Sequence, residues 1–285
     1  MEFLVIITAA IIGWVFADQF NKVNLSKDKL FDQFIESKFL SDNYWQSLMF
    51  LATSWLGVLL VLWVVKQLIF QNSPPLVLCL DIIVLALMLN IFDVRDISAD
   101  TGAIRNARQK NIAAGVATLF SVTASRIFSL IFWYWITPGL SGAILFFILL
   151  SMFNALIRSN ALKVLERNQF IVRGYSVLIW LPHKILIITY AFVGDFEAAL
   201  RCWRAQGRQS GLGFWAELLS TSAGALNIQL GGGESEDIGK SHKPVFGLLG
   251  HLVTQETIPR SVAFFIRNFL LWVLVFFLLN LMLKG

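Results

Sequence analysis

The sequence predicts an all-α, polytopic membrane protein with amphipathic and re-entrant helices beside its spans. Three observations carry this. Hydrophobic residues make up 57% of the 285-residue chain and charged residues only 14%, against about a quarter charged in a soluble domain. Several apolar runs approach or reach the ~20 residues that a helix needs to cross a hydrocarbon core. Successive runs are joined by Pro-containing turns at 71–75 and 136–139 that hold no Lys or Arg. The whole chain, 1–285, reads as a single integral membrane domain.

Residues 3–17 match a signal-peptide core in length. Glu2 stands where a positive flank belongs, and Phe16-Ala17-Asp18-Gln19 is a poor cleavage context, so the segment reads as a retained anchor. Residues 18–46 are amphipathic, with Phe31, Phe34, Ile35 and Phe39 at helical spacing. They form either a surface-lying helix among headgroups or an ordinary cytoplasmic loop helix.

Residues 47–70 are the clearest span, and Lys66 near its end is placed to snorkel. Asn72-Ser73-Pro74-Pro75 breaks the helix, and 76–92 return. Asp81 lies in this return helix, either as a functional ionisable group or as an interfacial one. Residues 93–111 are charged: a solvated loop, or an anion site built on Arg105 and Arg108, which share a helix face. In 112–135, Arg126 must face protein or water, with Asp81 as its candidate partner. Trp133, Tyr134 and Trp135 make an aromatic belt before Pro138-Gly139, and 140–156 return. Residues 174–194 carry Pro182, His183 and Lys184 centrally, so they either span with a break or are re-entrant. Residues 262–283 form the last span.

The loops at 18–46, 93–111 and 157–173 hold four Lys or Arg each. That charge bias places them in the cytoplasm and both termini outside, with six spans. Residues 195–260 hold six more and are placed inside as well. The net charge of +5 is thus a topology signal. No basic patch with interleaved aromatics marks a nucleic-acid partner. Cys79 and Cys202 form no metal or disulfide pattern, and His183, His242 and His251 have no ligand spacing.

The densest chemistry lies in 182–233. Asp195 is placed to cap a helix and shares a face with Ala199, while Glu197, Arg201 and Arg204 share another. Glu197 and Arg201 are either an exposed i,i+4 pair or part of a phosphate site. In the second reading Asp195 holds a divalent cation such as Mg2+, and Arg201 and Arg204 neutralise phosphate oxygens. Lys184 and the stretch 222–233, including Gly231 and Gly232, would complete it, because successive glycines let backbone amides approach an anion. The GKS or GKT ending of a P-loop is absent.

Trp180-Leu181-Pro182-His183-Lys184, followed by Tyr190-Ala191-Phe192-Val193-Gly194-Asp195-Phe196-Glu197-Ala198-Ala199-Leu200-Arg201-Cys202-Trp203-Arg204, resembles the W-L-P-A-R-L and A-L-x-G-D-F-E-x-A blocks shared by the AmpE proteins and the CobD/CbiB cobinamide-phosphate synthases. His183-Lys184 replaces the usual Ala-Arg and keeps one positive group as lysine. Ser125-Arg126-Ile127-Phe128 through Pro138-Gly139 resembles the AmpE segment at that place. Ser222-Ala223-Gly224-Ala225-Leu226 and Leu230-Gly231-Gly232 resemble the synthases' glycine-rich block. The synthases' GDP…PHP-like and ESxAEN blocks have no counterpart in residues 13–40 and 115–130, which favours the AmpE side. The resemblance implies an inner-membrane regulator linked to beta-lactamase induction or cell-wall stress. Its ligand would be a nucleotide, another phosphorylated small molecule or a cell-wall-derived one. The alternatives are a membrane enzyme forming amides in cobalamin biosynthesis and a structural membrane subunit.

Overall fold

The computed structural model describes residues 2–15, 44–70, 74–90, 109–137, 139–158, 169–207, 213–231 and 245–284. The amphipathic stretch, Arg105, Arg108 and Gly232 lie outside them. The described chain is almost entirely helical: α1 (Glu2–Val15), α2 (Tyr44–Phe70), α3 (Pro74–Asn90), α4 (Gln109–Val122), α5 (Ser129–Ile136), α6 (Ser141–Arg158), α7 (Gln169–Val193), α8 (Phe196–Gln206), α9 (Phe214–Leu226) and α10 (Thr257–Lys284). A π turn, Thr123–Phe128, links α4 to α5 and carries Arg126. Strands β1 (Gln229–Gly231) and β2 (Val245–Gly247) pair antiparallel, with Leu230 opposite Phe246.

Among the described residues four helical stretches are long and apolar enough to cross a bilayer: Leu51–Leu68, Gly115–Ile136, Gln169–Val193 and Thr257–Leu279. Leu76–Leu89 and Ser141–Asn154 are apolar but shorter. Helix α1 has 14 residues, about 21 Å at 1.5 Å per residue, short of the ~30 Å core. The chain is a multi-pass membrane protein with its long apolar helices suited to lipid.

The chain divides into two compact units: Met1–Asp93 with Ser129–Ile179, and Val94–Phe128 with Trp180–Gly285. In the first, α1 lies against α3. Val5, Ile6 and Ala9 are buried on α1, and Leu85, Ala86, Met88 and Leu89 on α3. Leu149, Met152, Leu156 and Ile171 form a further core, and Phe153 stacks on Tyr175 at 4.2 Å. Lys66 Nζ sits 2.7 Å from Asp81 Oδ1 and 3.0 Å from Oδ2. Asp81 therefore takes Lys66 as a partner, and Lys66 does not simply snorkel. The antiparallel return of α3 along α2 brings the two charges to one level, where pairing offsets their burial.

The segment 174–194 is not broken: α7 runs unbroken for 25 residues with Pro182 inside it. A proline has no N–H to bond the carbonyl four residues back, here Leu178. Trp133 Nε1 donates to that oxygen at 3.0 Å instead. Apolar surroundings demand such a replacement partner, which is why a helix of this kind tolerates the residue.

In the second unit Phe120, Tyr190 and Phe264 meet edge-on or tilted, with centroids 5.2–5.9 Å apart. Phe128 packs on Phe265 and Trp272. Trp272 Nε1 donates to Thr189 Oγ1 at 3.1 Å, tying α10 to α7. Helices α8 and α9 and the two strands lie in the chain between these two long helices.

Candidate functional site

The site region is built on a corner. Helix α7 ends at Val193, and Gly194 N–H still bonds Tyr190 O at 3.1 Å. Asp195 then takes extended backbone angles and its Oδ1 accepts from Ala198 N–H at 3.0 Å, an N-cap that starts α8. Its Oδ2 accepts from Asn227 Nδ2 at 3.2 Å, and its N–H donates to Ala225 O at 3.0 Å. Asn227 itself ends α9 in the left-handed conformation. One carboxylate thus joins the start of α8 to the end of α9. The bond from Ala198 N–H, then that from Asn227, hold its carboxyl below the ordinary carboxylate value.

Two glycines let this corner close. A Cβ on Gly194 would stand 2.6 Å from both the Cβ and the O of Ala225. One on Gly224 would stand 2.6 Å from Ala198 O and 2.8 Å from Ala199 Cα. Gly224 therefore sits where α8 and α9 cross, with their backbones in contact. The glycine-rich stretch 222–233 divides accordingly. Ser222 to Leu226 complete α9, with Ser222 to Ala225 buried, and Gly231 ends β1. Backbone contact accounts for Gly224, because a packed helical glycine has its N–H committed within the helix.

Glu197 and Arg201 form an exposed i,i+4 ion pair, and Arg204 is exposed nearby. On the opposite side of α8, Ala198, Ala199 and Cys202 are buried, and burial raises the Cys202 thiol above its ordinary value. Gln206 clamps β2, donating to Gly247 O at 2.9 Å and accepting from Gly247 N–H at 2.6 Å.

Lys184 lies elsewhere. It precedes Asp195 by eleven residues, and the ten to Gly194 alone span about 15 Å along α7. Its Nζ pairs with Glu217 in the first turn of α9. Next to it His183 is 1% exposed. The imidazole stands edge-on to Trp215 at 5.3 Å and to Phe214 at 6.3 Å. Neither ring nitrogen has a hydrogen-bond partner among the described residues. Glu217, Asn227 and Gln206 are contacts that sequence reasoning missed. Each acts across more than thirty residues, and no local pattern signals such a pairing. Among the described residues no three His, Cys, Asp or Glu side chains gather as a metal site.

No family profile and no solved structure matches the chain. Two curated proteins do. The cobalamin biosynthesis protein CobD of Chromobacterium violaceum is 29% identical over 164 residues, 56% of this chain and 52% of its own length. CobD of Stutzerimonas stutzeri is 30% identical over 115 residues, 37% of this chain and 34% of its own. The chain is a distant homologue of CobD proteins. It spans about half the length of the first CobD and a third of the second. The CobD likeness and the long apolar helices together fit a multi-pass protein of the inner membrane.

Proposed function

We propose that the protein is a membrane-bound member of the cobalamin-biosynthesis type, joining an amine-bearing group to a carboxylated substrate by amide formation. The observation that carries this is the identity with two CobD proteins named for cobalamin biosynthesis. What supports it in the second unit is a scaffold suited to a charged substrate near the end of α7. There, Asp195 and Asn227 fix the start of α8 against the end of α9, while at the opposite end of α9 Lys184 pairs with Glu217. The test is complementation of a strain lacking its own CobD. Growth without added cobalamin is the expected result, and no growth despite membrane expression removes the reading.

A second reading is an AmpE-type regulator of beta-lactamase induction or cell-wall stress. It is favoured by the missing synthase blocks at 13–40 and 115–130 and by the engagement of Asp195, Glu197 and Arg201 in capping and pairing. In this reading the ligand is a nucleotide with Mg2+, another phosphorylated small molecule or a wall fragment. Deletion should then change beta-lactamase induction, and an unchanged induction curve removes it.

A further inference from the structure

The start of α9 combines three features that the capped start of α8 does not share. Gly213 precedes the helix and supplies no side-chain cap, and the first N–H groups of an α-helix have no partner within it. Those groups and the helix dipole give the end a partial positive charge suited to an anion. Against this end lies His183, nine-tenths buried and more, its ring edge-on to the first two α9 side chains, with both nitrogens unpaired among the described residues. Buried polar groups are almost always hydrogen-bonded, so this imidazole needs a partner. Beside it, Lys184 pairs with Glu217, and among the described residues two of its three ammonium protons remain. Its side chain is 31% exposed, and Phe214 and Trp215 are half-buried, so the cluster opens outward.

We propose that the N-terminus of α9, His183 and Lys184 bind a phosphate group carried by a ligand. The α9 amides and an imidazole N–H donate to its oxygens, and Lys184 bridges it to Glu217. Glu217 positions the ammonium and keeps the site near neutral until the anion arrives. The aromatic rings of Phe214 and Trp215 exclude water from one side, which strengthens these bonds. This deepens the second reading, whose ligand is phosphorylated, by naming the residues that hold the phosphate, and it concerns binding and not a reaction. Its failure leaves the complementation result untouched.

The full chain, purified in maltoside micelles, is unfolded thermally in rising sodium phosphate and in sodium chloride of matched ionic strength. Phosphate is expected to raise Tm saturably by about 2–4 °C. His183→Leu should keep or raise the unliganded Tm, because it removes a buried unpaired group, and should lose the phosphate rise. Arg201→Ala should keep it. An equal rise in wild type and His183→Leu overturns the proposal, as does no rise in wild type. A rise lost in Arg201→Ala instead moves the anion to α8 and also overturns it. Dihexanoyl phosphatidic acid is titrated in parallel. Tighter binding than inorganic phosphate assigns a lipid headgroup to the site, weaker binding a soluble phosphate ester, and both support it.

Discussion

Asp195 shows how one residue type admits two readings. Its position after Gly194 and before an alanine-rich helix signals an N-cap, and the structure adds a second bond from Asn227. Asparagine caps as well as aspartate, so Asp195→Asn should be mild in thermal unfolding and Asp195→Ala clearly worse. The pH dependence has a definite sign. Because the folded carboxyl sits below its ordinary value of 3.8, the unfolded chain takes up the proton first. Stability from this group is therefore complete above that value and is lost as pH falls through the lower folded one. Unfolding followed from pH 6 to pH 2 should show the loss in wild type and its absence in Asp195→Asn. Trp133 is the other decisive side chain. Trp133→Phe keeps an aromatic ring but leaves the Leu178 carbonyl without its indole donor. The expected cost is about 0.6–2 kcal/mol, read as a lower unfolding midpoint in micelles.

At the scale of elements, the crossing of α8 and α9 depends on a missing side chain. Both atoms nearest a Cβ on Gly224 are backbone atoms, so no rotamer change relieves the overlap and the helices must separate. Gly224→Ala should cost about 1–3 kcal/mol, the range for overpacking. Proteolysis should then cleave first within 195–256. Unchanged stability would mean that the two helices are not held this closely. The continuity of α7 is the second lesson at this scale. A proline, a histidine and a lysine at the middle of an apolar run read as an interruption. Each has instead found tertiary surroundings: Trp133 bonds the freed carbonyl, aromatic rings enclose His183, and Glu217 pairs Lys184.

For the whole molecule, the side on which residues 195–256 lie sets which ligands can reach them. Their Lys and Arg favour the cytoplasm, yet a fully crossing α7 would put them opposite residues 157–168, which are also basic. The cytoplasmic placement is the expectation, because the Lys and Arg count puts the region on that side, where nucleotides and phosphorylated intermediates are found. Leu249, 78% exposed, gives a direct test. In a Cys79→Ala background, Leu249→Cys should react with an impermeant maleimide only after the cells are opened. Cys202 adds little background, because it is buried and its thiol is raised. Labelling of intact cells would place the region outside and remove a nucleotide ligand.

The sequence by itself determined the membrane class, most of the long apolar helices and the capping character of Asp195. These follow from composition, from run length and from patterns a few residues apart, all of which act locally. Which polar side chains pair was decided only in three dimensions. Lys66 with Asp81, Lys184 with Glu217, and Asp195 with Asn227 are set by helix packing across 15 to 33 residues. The roles of glycine and proline were decided in the same way. Gly224 marks backbone contact between helices, and Pro182 is tolerated because an indole N–H takes the place of the one it lacks.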